Sequence, residues 1–228
     1  MCGRFTLRTP ASVLIEQFGL DGSPQLKLRF NIAPTQLVAA IRVLPGESKR
    51  HVAMLRWGLV PSWAKDPAMG HRMINARAET AAEKPSFRSA FRRRRCLVLA
   101  DGYYEWKKVG SRKQPYYFRL SEGRAFAFAG LWEVWREGEA SDDALETCTI
   151  MTTEPNELGR PIHDRMPVII DPENYDEWMD PRMQDRERIE PLLRPYDANQ
   201  MTAEPVSTYV NNVRNDDAKC IEIQRELF

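Results

Sequence analysis

Cys2 opens the chain in MCGRFT, and an initiator methionine is commonly removed when the second residue is small. The mature chain would then begin with a cysteine carrying an α-amine (reference pKa about 8) and a thiol (about 8.5) on adjacent carbons. An aldehyde meeting that pair can form an imine with the amine. The thiol can then close a five-membered thiazolidine ring, an intramolecular attack favoured by proximity. Gly3 leaves room beside the nucleophile, and Arg4 supplies a cation that would favour the thiolate and attract phosphate. Among the three histidines, His163 stands out in PIHDRMP, bracketed by Pro161 and Pro167 and followed by Asp164 and Arg165. A constrained loop of this kind suits acid–base work near neutrality; His51 and His71 lack such surroundings and read as surface or core residues. Glu105 lies in DGYYEWKK, where alternation puts Tyr103, Glu105 and Lys107 on one face and Tyr104, Trp106 and Lys108 on the other. A carboxylate between aromatics on a buried strand would have a raised pKa and could shuttle protons, whereas a salt bridge to a neighbouring Lys or Arg is the plainer alternative. Asn75 and Arg77 in MINARAET share a face, one able to orient an amine or a sugar oxygen and the other to clamp a phosphate. Capping of a helix starting near Ala78 is the structural reading of the same pair.

The elements that must position these residues are mostly strands. Short apolar runs rich in β-branched and aromatic residues recur at LVAAIRV (38 region), 51–58, 96–100, 103–108, 115–120, 125–135, 146–153 and 166–170, bounded by Gly, Pro and Asp. Helical patterns cover 10–18, roughly 78–84, 172–179 and 185–193, with Pro10 and Pro172 at plausible first turns. No regular helix separates the strands, so a mainly antiparallel α+β fold, a distorted barrel or sheet with peripheral helices, is expected. The 228 residues predict a single domain over 1–228 that buries roughly 70% of its unfolded surface without disulfide or metal. Cys2, Cys96, Cys148 and Cys220 are too widely spaced for a zinc knuckle or a secreted disulfide framework, which points to a reducing, cytoplasmic setting. No apolar run suits a signal peptide or a span.

The net charge of +1 hides a division: residues 1–108 carry 19 Lys+Arg against 8 Asp+Glu, and residues 109–228 carry 14 against 24. If the first half lined one face, it could gather a polyanion; if the halves interleave, the field cancels and Arg92 to Arg95 are a solvated edge. Aromatics among cations in WGLVPSWAKDP and at Trp106 suit unpaired bases, although most of the six tryptophans are expected in the core.

Taken together, MCGRFT, RFNIAPT, WGLVPSW, INARAET, ADGYYEWK, QPYYF, FAGLW and IHDRMPVII resemble the SRAP (SOS response-associated peptidase) family, and the resemblance covers nearly the whole chain. It implies a compact α+β domain around a distorted antiparallel barrel with a basic groove for DNA. It also implies a covalent bond between the N-terminal cysteine and the ring-opened aldehyde of an abasic deoxyribose in single-stranded DNA. Carried over by motif, Cys2 is the nucleophile, and Asn75, Glu105 and His163 line its pocket. Glu105 would promote opening of the sugar hemiacetal and ferry protons, Asn75 would hold the sugar or ring nitrogen, and His163 would donate to the departing hydroxyl. Arg4, Arg77, Trp106, Thr152 and Arg165 are the implied DNA contacts. A monomer with no metal, cofactor or membrane is expected, associating with the nucleoid when bound to DNA. Residues 180–200 match no family motif. Two rival readings remain. One is a cysteine hydrolase or peptidase built from Cys2, His163 and Glu105; the other is a single-strand DNA binder that forms no bond.

Overall fold

A computed structural model describes residues 2–21, 26–138 and 143–224. The elements, in chain order, are β1 (Arg4–Leu7), α1 (Ala11–Phe18), β2 (Arg29–Ile32), β3 (Leu37–Val43), β4 (Arg50–Trp57), β5 (Asn75–Arg77), α2 (Ala78–Ala81), α3 (Arg88–Arg93), β6 (Arg95–Ala100), β7 (Gly102–Val109), β8 (Arg112–Leu120), β9 (Phe126–Arg136), β10 (Ala144–Thr153), β11 (Met166–Pro167), β12 (Ile169–Ile170), α4 (Tyr175–Met179), α5 (Arg186–Ile189) and β13 (Met201–Pro205), joined by single 3-10 turns. The expected α+β fold with peripheral helices is what forms. Every apolar run read as a strand forms one, except that 166–170 divides into β11, paired with β10, and β12, paired with β9. The expected turn at 136–144 lies partly outside the described residues.

Strands β10, β4, β3, β6 and β9 close into a five-stranded barrel, antiparallel at every seam except the parallel pairing of β4 with β10. Burial on nearly every position explains why β6 and β9 read as continuous apolar runs, β6 being buried throughout and β9 over Phe126–Glu133, whereas β4 is only partly covered. A second, five-stranded antiparallel sheet, in the order β13-β8-β7-β1-β2, packs on the barrel. Phe5 of β1 makes edge contacts with Trp57 at 5.2 Å and Phe128 at 5.7 Å, and Tyr103 stacks on Phe118 at 4.8 Å. Burying rings of this size contributes about 2 kcal/mol each, so the N-terminal strand is held where the two sheets meet.

Polar clamps fix β1 further. Asp101, 3% exposed, accepts from the Thr6 hydroxyl at 2.6 Å, the Thr9 amide at 2.7 Å and the Arg8 amide. Tyr117 crosses directly over Gly102, where an added Cβ would lie 2.1 Å from the ring hydroxyl, and that hydroxyl meets Thr6 at 2.9 Å. Gly102 therefore lets β8 close over β1.

The basic first half does not form a face of its own. Arg29, Arg42, Arg50 and Arg94 pair with Asp216, Glu146, Asp176 and Glu133 of the acidic half. The run Arg92 to Arg95 is not a uniform solvated edge either. Arg92 and Arg93 are exposed on α3, but Arg95 is 1% exposed. It donates to five backbone carbonyls, among them Trp178 at 2.5 Å, Asp180 at 2.6 Å and Met183 at 2.7 Å. The exchange of water for five carbonyls offsets burial of the charge, and Arg95 thereby fastens the 178–183 segment to the barrel. Of the tryptophans, Trp57, Trp132, Trp135 and Trp178 are core, Trp63 is exposed and Trp106 is half-buried.

A candidate active site at the N-terminal strand

The register of β10 builds the site. One edge of this strand pairs with β9, while the other is shared between β4 at Thr147 and Cys148 and β5 at Ile150 to Thr152. That split sets Asn75 opposite Ile150 and Arg77 opposite Thr152. Asn75 then reaches the chain start, its Nδ2 donating to the Cys2 carbonyl at 2.8 Å. Its Oδ1 is buried without a hydrogen-bond partner among the described residues, an acceptor whose desolvation costs about 1–3 kcal/mol unless a ligand supplies a donor.

Cys2 is fully buried, with its Sγ directed to the Arg4 carbonyl at 3.8 Å. Burial pushes the thiol well above its usual pKa, and the nearby Glu105 carboxylate raises it further. The sequence expectation that Arg4 favours the thiolate is corrected here. The Arg4 guanidinium is turned away to Asn31 Oδ1 at 2.8 Å and the Val210 carbonyl at 2.9 Å, so its charge serves the 210 segment and leaves Cys2 a neutral thiol.

Glu105 is 3% exposed, and burial pushes its pKa up to about 7. The carboxylate that alternation placed between aromatics is thus poised to gain or lose a proton at neutrality. His163 Nε2 lies 3.9 Å from Glu105 Oε2. At Nδ1, the Arg165 amide donates at 3.0 Å, whereas the exposed Asp164 carboxylate at 2.9 Å accepts only from a protonated ring. Burial holds His163 below its usual pKa, so the resting ring is neutral, with the amide bond at Nδ1 and its proton on Nε2 facing Glu105.

The remaining sequence-selected residues surround this core in different states. Arg77 is exposed at the end of β5, and its guanidinium makes no hydrogen bond among the described residues. Trp106 donates from Nε1 to Asn211 Oδ1 at 2.8 Å and faces Arg4 at 6.0 Å. These two line a cleft of about 500 Å³ with Gly3, Pro34, Thr35 and Val213. Thr35 holds a φ of 72° there, a left-handed conformation that is strained for a β-branched residue. Arg165 is committed to a two-pronged pair with Glu79, at 2.6 and 2.9 Å, and to the Thr152 carbonyl at 2.5 Å. Thr152 itself is fully buried.

Residues not singled out in the sequence hold these in place. Asn31 bridges Arg4 to the carbonyls of Val210, Asn212 and Asn215, Glu79 fixes Arg165, and Asp101 fixes β1. All three sit inside motifs quoted above, RFNIAPT, INARAET and ADGYYEWK, so polar residues within long motifs, buried at Asn31 and Asp101 and exposed at Glu79, were the available signal. Among the described residues, no group of three or more His, Cys, Asp or Glu could hold a metal ion, and no helix is long and apolar enough to cross a membrane.

A closed mixed barrel capped by an antiparallel sheet thus holds Cys2 buried beside Asn75 and Glu105. The chain belongs to the SOS response associated peptidase (SRAP) family, which it matches over residues 1–213. It is 45% identical to the abasic site processing protein YoqW of Bacillus subtilis, over 97% of this chain and 99% of that one. It is 32% identical to the abasic site processing protein YedK of Escherichia coli over 97% and 99%. The abasic site processing protein HMCES of Xenopus tropicalis is 35% identical over 76% of this chain and 58% of its own. Among solved structures, a protein from Bacteroides thetaiotaomicron superposes with a TM-score of 0.87 at 26% identity, covering 98% of this chain and 100% of that one.

Proposed function

We propose that this protein captures abasic sites in single-stranded DNA covalently, through the α-amine and thiol of Cys2 after removal of Met1. The observation that carries the reading is the convergence on Cys2 of an amide that holds its carbonyl and a carboxylate of pKa about 7, itself beside a neutral histidine. The similarity to abasic site processing proteins of Bacillus subtilis and Xenopus tropicalis supports the same substrate class. In the proposed sequence, protonated Glu105 assists opening of the sugar hemiacetal, and the amine attacks the resulting aldehyde. Water leaves to give the imine, with the proton supplied through His163 and Glu105. The thiol then adds to the imine carbon, its proton passing to the carboxylate and on to nitrogen. Asn75 Oδ1 accepts from the sugar hydroxyl or the ring N–H. The product blocks β-elimination, so the lesion is shielded from strand cleavage.

The raised thiol favours this route over a cysteine hydrolase, which works through a thiolate of lowered pKa. In the aminothiol route the amine attacks first, and a neutral thiol is deprotonated only as the ring closes. Incubation with a single-stranded oligonucleotide bearing one abasic site, read on a denaturing gel, tests the proposal. A shifted band that survives boiling in SDS is expected, and its complete absence would reduce the protein to a reversible binder.

The proposed DNA contacts divide by their present commitments. Arg77 is available at once, and Trp106 offers a ring edge in the cleft. Arg165 reaches a phosphate by exchanging Glu79 for it, while Arg4 and Thr152 support the wall behind. Arg77→Ala is expected to lower the slope of log affinity against log salt by about 0.7, one phosphate contact on a single strand, without changing the crosslinking rate at saturating DNA. Arg165→Ala should weaken binding more, because it also leaves the Glu79 carboxylate facing the strand. Binding isotherms at several salt concentrations check both.

A further inference from the structure

Lys84 to Arg95 holds six cations and no acid, the densest basic stretch in the chain, and the proposed chemistry uses none of it. Its members have separate fates. Arg95 is spent on backbone carbonyls, and Arg94 pairs with Glu133 at 2.5 Å and with Ser89 at 3.0 Å. Arg88, Arg92 and Arg93 remain exposed. Arg92 makes one long bond to Gln184 at 3.3 Å, and the guanidinium groups of Arg88 and Arg93 make no ion pair or hydrogen bond among the described residues. With Ala82, Ser89 and Arg94, these three line a cleft of about 490 Å³ whose wall includes no acidic residue.

The cleft has a physical reason to be filled by an anion. Arg88 and Arg92 are four residues apart on α3, a spacing at which like charges oppose helix formation. The opposite face of the helix, Ala90 and Phe91, is packed into the core, which keeps both arginines on the solvent side. A chain of phosphates would relieve the crowding and accept several N–H groups at once.

Its place in the fold says which anion. Ala82, in the cleft wall, comes five residues after Arg77, and α2 joins them, a rise of about 7 Å. The exposed cation at the candidate site and the arginine cleft thus flank one short helix, and the two acids between them in sequence are engaged elsewhere, Glu79 by Arg165 and Glu83 by Arg186 at 3.8 Å. We propose that the cleft formed by Ala82, Arg88, Ser89, Arg92 and Arg93 binds the sugar–phosphate backbone of the same single strand that carries the lesion, a few nucleotides to one side of it. This rests on the reading above and extends it. The protein tracks a length of backbone by charge, and it reads the lesion itself only at Cys2.

The test compares wild-type α3 with Arg88→Gln/Arg93→Gln, both placed in a Cys2→Ala background so that binding is reversible. The probes are abasic oligonucleotides with about two nucleotides on each side of the lesion, or extended to about ten on one side or the other, lengths within the site sizes of single-strand grooves. The double variant is expected to bind the short probe as the parent does. On one of the two extended probes its affinity should fall about tenfold at low salt, with the salt slope reduced by about 1.4, two single-strand phosphate contacts. Circular dichroism and an unchanged Tm establish that the variant is folded. With Cys2 present, crosslinking of the short probe should proceed at the parental rate, so loss of the cleft is separable from failure of the covalent reading. Unchanged affinity for both extended probes overturns the proposal. So does an equal loss on short and extended probes, which would mean a diffuse field in place of a backbone contact.

Discussion

Cys2→Ala is expected to abolish the SDS-stable adduct completely while leaving reversible binding of abasic single-stranded DNA within about threefold. The cations proposed to meet DNA, Arg77 on β5, Arg165 before β11 and the arginines of α3, owe nothing to the thiol, so affinity and chemistry should separate cleanly. Removing one buried sulfur costs about 1 kcal/mol of packing, a loss that the Phe5 contacts and the Asp101 clamp on β1 can absorb. Cys2→Ser keeps the amine and should give at most an imine, because a hydroxyl closes the ring far less favourably than a thiol; that adduct should be lost on denaturation unless borohydride traps it. Crosslinking by the alanine variant at the parental rate would assign the bond to another amine, such as a lysine, and remove Cys2 from the chemistry.

Glu105→Gln should slow adduct formation by about 10²–10⁴-fold, the usual worth of a positioned acid–base group, without preventing it. Spontaneous ring opening still supplies some aldehyde for the Cys2 amine to trap. The wild-type rate should change with pH around 7, where Glu105 titrates, and that inflection should disappear in the glutamine variant. The same residue makes a stability prediction of fixed sign. Its pKa rises from 4.5 in the unfolded chain to about 7 when folded, so the folded state binds the extra proton between those values. Stability is therefore fully present below pH 4.5 and declines as pH rises through about 7, as the buried carboxyl is forced to ionise. The glutamine variant escapes this loss. It should be more stable than wild type at pH 8 by up to about 3 kcal/mol and equal to it near pH 4. Denaturant titrations at the two pH values check the sign, and a variant less stable at pH 8 would contradict the burial argument. A carboxylate that weakens the fold at working pH, in the acid–base role proposed for Glu105, is the expected trade between activity and stability.

Strands β6 and β9 of the barrel were legible because both of their faces are covered, which makes the runs CLVLA and FAFAGLW apolar throughout. β1, β2, β5 and β13 escaped the pattern: RFTL, RFNI, NAR and MTAEP are three to five residues long and carry polar side chains whose partners lie far along the chain. Helix α3 escaped for the opposite reason. The arginine run at its end reads as solvent-facing, whereas Arg92 and Arg93 on α3 stand in water and Arg95, the first residue of β6, is turned into the core. Chemistry at Cys2, Glu105 and His163 could be named from residue type and from the family resemblance. The resemblance also named the pocket they share, but not its geometry: the pairing of β1 with β7 sets Cys2 near Glu105, and β10, sharing one edge between β4 and β5, delivers Asn75. Nor could the sequence reveal that Arg4 and Arg165, attractive as phosphate ligands, rest on Asn31 and Glu79.

The intact mass of the purified adduct tests the central claim most directly. The account predicts the mass of the chain lacking Met1 plus that of the oligonucleotide, less one water, with the modification mapping to Cys2 after digestion. An adduct that retains Met1, or one whose modification maps to any other residue, would contradict it.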